Sequence, residues 1–352
     1  MLISLISFIF VIAVCVIVHE IGHYKTAKML GVQSHEFAFG MGPLIYQRKD
    51  SEGMSWSIRA FPIGGFVRIA GQASPGEGGE EDDEVIKPGM GFNDKPAWIR
   101  FLILASGSIM NILLAMFLTA LFLYGHGVLD TQSTRIGTIM SGLPAESAGF
   151  LPNDKIVEIN GVTVEDWRGM TREIRENAVK GSVNFKIERE GGILEINNVV
   201  IPIHQESRVP MLGVTPSMKT YTLIGSITYS LSYITDLSIE MLRGIFRLIT
   251  AKESIDVAGP VGIASMAGQA ARAGVWNFIT FLALISLNLG ILNLLPFPAL
   301  DGGRLLVLSG EMIFRRRLPD RIEYYLHFTG FVLLISLIVF VTYNDIARLI
   351  RQ

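Results

Sequence analysis

Four stretches of this chain run without a charged side chain for long enough to cross a bilayer: residues 2–18, 101–124, 275–300 and 324–344. About 20 helical residues cover the hydrocarbon layer, and a helix satisfies its own backbone groups where no water can. The sequence therefore predicts a multi-pass α-helical membrane protein with four transmembrane helices. Composition agrees: half of the 352 residues are apolar and only 18% are charged, too few charges for an ordinary soluble domain. A net charge of −2 offers no surface for nucleic acid. Cys15 is the single cysteine, so no disulfide forms within the chain.

The first stretch lacks the basic start and small-residue cleavage site of a secretory leader and reads as a retained span. Lysine and arginine set the orientation. Residues 25–100 carry nine of them and residues 301–324 carry five, including Arg315, Arg316 and Arg317. Both segments are assigned to the cytoplasm, with the N-terminus and the long 125–274 segment outside. Residues 221–250 are nearly long enough to span, but Asp236, Glu240, Arg243 and Arg247 fall on one helical face. That stripe predicts an amphipathic helix lying at the interface. Counted that way, the first and third spans run in the same direction. Residues 74–89 are acidic and glycine-rich, the pattern of a solvated loop. Residues 35–71 alternate apolar groups with glycines, the pattern of short strands and tight turns.

At the end of the first span stands His19-Glu20-Ile21-Gly22-His23. His-Glu-x-x-His on a helix puts both imidazoles on one face at metal-binding spacing, and the glutamate beside them can accept a proton from an attacking water. Three ionisable groups in an apolar helix are costly and mark a functional site. A catalytic zinc needs a third protein ligand, for which His126, His204, His327, Asp301 and Glu311 are available. Asp301 stands apart. It follows a run broken by Pro296 and Pro298, and irregular backbone at membrane depth must be buried in protein or line a wet cavity. The topology also brings it to the same leaflet as the histidines.

"HEIGH" in the first span, "NLLPFPALDGG" closing the third and an inserted domain resemble the site-2 protease family of intramembrane zinc metalloproteases, in its bacterial regulator-of-sigma branch. The resemblance implies His19, His23 and Asp301 as zinc ligands and Glu20 as general base. It also implies Asn293 as the residue that positions the substrate carbonyl, and a membrane re-entrant β-segment containing Gly64-Gly65-Phe66-Val67. Where the family often has Gly-Pro-x-x-Asn in the second span, this chain has Gly107-Ser108-Ile109-Met110-Asn111. "SGLPAESAGFLPNDKIVEINGVTVEDW" (141–167) resembles a PDZ domain, with Ala145–Ala148 suited to a short helix and Asn160–Gly161 to a tight hairpin. Such folds bind extended peptides by strand addition, and a spacer that only excludes large substrates is the other reading.

The expected organisation is a first span over 1–34, the re-entrant β-segment over 35–73, an acidic cytoplasmic loop and linker over 74–99 and a second span over 100–125. A single PDZ domain follows over 130–208, then interfacial helices over 221–274, the third span over 275–303, a basic cytoplasmic loop over 304–323 and the fourth span over 324–347. The expected activity is that of a zinc metalloendopeptidase in a bacterial inner membrane. It would cut membrane-protein substrates, of which a pre-cleaved anti-sigma factor is the type the resemblance implies. The alternative is a non-catalytic, membrane-anchored PDZ adaptor, which would have no need of Glu20. A zinc transporter would need polar groups along spans two and four, which offer almost none. A zinc protease of soluble substrates would not need its site between spans.

Overall fold

A computed structural model describes residues 1–72, 86–203, 209–250 and 258–351. His204 and most of the acidic 74–89 stretch lie outside the described residues. The chain divides into two compact units. One is residues 1–122 with 224–352, and the other is residues 123–223.

Among the described residues, four helices are long and apolar enough to cross a membrane. They are α1 (Leu2–Met29), α2 (Ala97–Gly125), α7 (Val275–Leu294) and α9 (Asp320–Arg351). Helix α1 buries Ser7, Val11, Cys15, His19, Gly22, His23 and Ala27, a stripe repeating every three or four residues and continuous along its length. Helix α2 runs antiparallel along that stripe. Val11 and Cys15 share a cluster with Leu118, whereas Ala27 shares one with Ile103 and Leu104. At the crossing, a Cβ on Gly22 would sit 2.5 Å from the Ser106 carbonyl oxygen and 2.9 Å from the Gly107 Cα. Small residues at such a point let two backbones touch.

Between α1 and α2 the chain forms β1 (Ser34–Lys49) and β2 (Ser55–Ile69). Both strands bend, at Gly40 and Gly64, where φ is +85° and +87° and a Cβ would be strained. Bending lets residues 34–39 pair on both sides, with 65–69 and with 55–58, while 44–49 pair with 55–59. Two strands thus make a sheet of four segments, in which 34–39 runs antiparallel to 65–69 and alongside 55–58 in the same direction, and 44–49 runs antiparallel to 55–59. Buried Glu36 links three of them through Ser57, Arg59 and Arg68. Phe37 stacks on Trp56, which meets Tyr24 of α1 edge-on.

Helices α5 (Leu223–Ile249), α6 (Pro260–Ala273) and α8 (Asp301–Phe314) complete the unit. Ile234, Leu237, Met241 and Ile245 of α5 pack on Ala115 of α2 and on Leu287 and Ile291 of α7. Buried Asp345 of α9 accepts hydrogen bonds from the Gly259 and Gly262 amides, capping the N-terminus of α6. The expected basic loop over 304–323 is helical as far as Phe314. Leu305 and Leu308, spaced for one helical face, are buried against the cluster of Ala27, Ile103 and Leu104, and that burial outweighs the charges that made the segment read as a loop. The third span stops at Leu294, before the prolines, rather than at 303.

The second unit holds β3 (Val128–Leu129), β4 (Ile136–Ile139), α3 (Pro144–Ser147), β5 (Lys155–Ile159), β6 (Val162–Thr163), α4 (Trp167–Ala178), β7 (Ser182–Arg189), β8 (Gly192–Val200), β9 (Val214–Pro216) and β10 (Met218–Lys219). The sheet order is β6-β5-β7-β8, and β9 and β10 return to pair with β4 and β3. That return carries the unit past residue 208. Asn160 and Gly161, both at positive φ, make the two-residue turn between β5 and β6, and Pro144–Ser147 form the short helix. Ile136, Ile156, Met170, Phe185 and Ile187 lie at the centre of its core.

Asp154 anchors this core. Its carboxylate accepts two hydrogen bonds of 2.8 Å from Arg189 and one of 2.7 Å from the Leu151 amide. Burial pushes its pKa up, but Arg189 and the Leu151 amide outweigh it and hold the group below the ordinary carboxylate range. A depressed folded-state pKa adds stability that is present above the unfolded value of about 3.9 and lost as pH falls through the folded one. Asp154→Ala is expected to destabilise this unit by about 2–4 kcal/mol, less than for a fully enclosed pair because Arg189 reaches solvent. Hydrogen exchange of the β5 and β7 amides at pH 7 measures the loss, and the difference between variant and parent should shrink below pH 4.

Candidate metal centre and active site

His19 and His23 sit one turn apart on the buried face of α1, where α2 crosses it. Asp301 arrives from elsewhere, as the first residue of α8. Between α7 and α8 the backbone turns extended at Leu295 and passes through Pro296 and Pro298 to Ala299, whose φ of +81° is left-handed. A non-glycine residue holds that conformation only where its surroundings impose it. Buried His327 of α9 accepts a hydrogen bond from the Ala299 amide at 3.3 Å. Gly303 lies so near the preceding turn that a Cβ would meet the Phe297 carbonyl at 2.5 Å, and Gly302 and Gly330 are hemmed in by backbone in the same way. The two glycines after Asp301 therefore serve close packing within a helix rather than backbone freedom.

Three side-chain atoms converge. Asp301 Oδ2 is 3.0 Å from His19 Nε2 and 3.3 Å from His23 Nε2, and the two ring nitrogens are 3.1 Å apart. His23 Nδ1 donates to the Ile103 carbonyl at 2.8 Å, which leaves the lone pair of a neutral ring on Nε2, facing the other two atoms. Asp301 Oδ2 is buried and accepts no hydrogen bond. Acceptors pressed together in a low-dielectric interior repel one another. A cation among them removes that conflict, and two imidazoles with one carboxylate are a set that zinc accepts. The residues fit the metal.

Glu20 flanks the trio. Its Oε2 accepts a hydrogen bond of 3.0 Å from the backbone amide of Val67 in β2, so the sheet fixes the carboxylate. Gly65 makes the approach possible, since a Cβ there would lie 3.2 Å from Val16 of α1.

Sequences of peptidase family M50 match residues 7–337. The chain belongs to peptidase family M50. The zinc metalloprotease RasP of Shouchella clausii is 31% identical, across 98% of this chain and 99% of its own. The regulator of sigma-W protease RasP of Bacillus subtilis is 28% identical over the same shares. Like its family, the protein is a zinc metalloprotease of the membrane.

Of the M50 residues expected from sequence, the structure gathers His19, Glu20, His23 and Asp301. Asn293 stands half-buried in the last turn of α7, with no hydrogen bond from its side chain to the trio among the described residues. Glu311 is paired with Arg100 at 2.6 Å and with Arg317 at 3.1 Å, and His126 is exposed in the other unit. Val67 acts through its backbone and carries no side-chain signal. His327, a residue that reads as an ordinary histidine, supports the Asp301 turn. Gly107 is the other surprise. A Cβ on it would fall 2.8 Å from His19 Cε1 and 2.7 Å from His23 Cε1, with His23 Nε2 nearer still.

Gly107→Ala is therefore expected to displace the histidines. Zinc bound per chain should fall well below one while helicity by circular dichroism holds. Gly22→Ala meets backbone that cannot yield by rotating a side chain, and should cost about 1–3 kcal/mol in stability as overpacking. Both can be checked on purified protein by metal analysis and thermal unfolding.

Proposed function

We propose that His19, His23 and Asp301 hold the zinc ion and that Glu20 is the general base for hydrolysis of a peptide bond in or near the transmembrane helix of a substrate protein. The convergence of three ligating atoms beside a fixed carboxylate carries this reading. Zinc, when bound, supplies a Lewis acid that lowers the pKa of a water toward about 7. Glu20 takes a proton from the attacking water at Oε1, while Val67 holds Oε2, and passes it to the leaving amine. Asn293, in the last turn of α7 just before the connection to Asp301, is assigned to hold the substrate carbonyl.

A transmembrane substrate must unwind before its carbonyl can be attacked, and the freed backbone groups then need partners. We assign that role to the β1–β2 sheet as a membrane re-entrant element. Exposed Met41, Leu44, Ile45, Tyr46 and Phe61 support its immersion. The distribution of lysine and arginine supports a cytoplasmic-side site with the N-terminus and the 123–223 unit outside, and an inner-membrane location follows for a bacterial host. The charged stripe of α5 supports an interfacial position for its outer face. The short helix and the Asn160–Gly161 hairpin support reading the 123–223 unit as a single PDZ-like domain that takes an extended segment or screens substrates by size. The name of the Bacillus subtilis relative, regulator of sigma-W protease, supports an anti-sigma factor as the substrate type. A non-catalytic adaptor leaves the convergent trio and Glu20 without purpose.

Glu20→Gln is expected to keep its zinc and lose cleavage of a detergent-solubilised helical substrate by about 10²–10⁴-fold. His23→Ala and Asp301→Ala should lose both, and a chelator should stop the parent enzyme. Undiminished cleavage by the glutamine variant would overturn the assignment.

A further inference from the structure

Resting on the ligand reading above, we infer that Asn111 is a positioning residue that fixes the ring of His19 in its metal-binding tautomer. A histidine that ligates through one nitrogen almost always donates the hydrogen on the other to a carbonyl or carboxylate, which fixes the ring and raises its basicity. His23 meets that condition through the Ile103 carbonyl. For His19, Nδ1 meets the side-chain amide nitrogen of Asn111 at 3.5 Å.

Asn111 is fully buried on α2, one turn beyond Gly107, and its Oδ1 has no hydrogen-bond partner. As placed, the amide nitrogen faces His19 Nδ1. Donation in that direction would put the hydrogen of a neutral ring on Nε2, in the middle of the trio, where it would block a ligand's lone pair. Turning the amide over exchanges two atoms of nearly equal size. The orphaned oxygen then accepts from Nδ1–H, and Nε2 is left bare toward His23 and Asp301. One rotation satisfies a buried acceptor and frees a ligand.

The neighbourhood holds Asn111 still. Ser286 of α7 donates to its backbone carbonyl at 2.8 Å. At Gly290 of α7 a Cβ would lie 3.3 Å from the Asn111 Cβ and 3.0 Å from the Ser108 carbonyl. Helix α7 thus fixes the Asn111 backbone and closes on its Cβ.

The test compares Asn111→Asp with Asn111→Leu in the full-length protein, by titrating zinc against a competing chelator. Leucine matches the volume but cannot accept the hydrogen, and zinc affinity should fall about 10–100-fold. Aspartate accepts it and should keep the parent affinity or exceed it. Parent affinity in the leucine variant, or equal losses in both, would overturn the inference. His19→Ala separates the two readings, because full zinc binding there means His19 is no ligand and the ligand assignment itself has failed. Should the leucine variant not fold, solid-state NMR of the zinc-loaded parent decides. The His19 Nδ1 hydrogen is expected next to the Asn111 side-chain carbonyl carbon, and finding the amide hydrogens turned toward a bare Nδ1 would overturn the inference.

Discussion

The contact between Gly22 of α1 and Gly107 of α2 is the constraint on which the rest of the site hangs. In a bilayer no hydrophobic force draws one apolar helix to another, so packing and polar contacts must do it. Backbone against backbone at this crossing brings the Ile103 carbonyl to His23, the Asn111 amide to His19 and the Gly107 hydrogen face to both rings. One methyl group on either glycine would separate the helices or push the imidazoles aside. Stability and chemistry therefore share an interface, and neither can be altered there alone.

The third member of the trio comes by a different device. A carboxylate at the start of a helix ordinarily caps its own amides, but Asp301 caps none among the described residues and faces the histidines instead. The chain achieves this by breaking α7 at two prolines, holding Ala299 in a left-handed conformation and seating Gly302, Gly303 and Gly330 against carbonyls. His327 secures the turn from α9. Two spans, α7 and α9, together with the start of α8 thus define where one oxygen atom lies.

Residues that act through a local pattern were legible in the sequence. The i, i+4 spacing of His19 and His23, the glutamate between them and the proline-broken approach to Asp301 are all visible without coordinates, as are the four apolar runs. The resemblance marks 64–67 and 107–111, but what the single residues there do escapes the sequence, because it acts through the backbone or across long separations. Val67 offers an amide, Gly107 offers an absence of atoms and Asn111 offers a side-chain amide that meets its ring only once the fold is in place. The segment after Asp301 was misread because its arginines are conspicuous, whereas Leu305 and Leu308 declare a buried face only once Ile103 is beside them. The end of the 123–223 unit was missed for a similar reason, since β9 and β10 are too short to stand out until β4 and β3 claim them.

Burying two imidazoles and two carboxylates among apolar helices costs several kcal/mol unless each finds a partner. Glu20 finds the Val67 amide and His23 the Ile103 carbonyl, while Asp301 Oδ2 finds no hydrogen donor. A cation among the groups that face inward would satisfy them, and metal binding would then reinforce helix packing. The same logic explains why the sheet belongs to the site rather than beside it. Without the 65–69 segment against α1, the Glu20 carboxylate would lose the amide that fixes its Oε2. Held by Val67 at one oxygen, it keeps the other for the base role proposed for it.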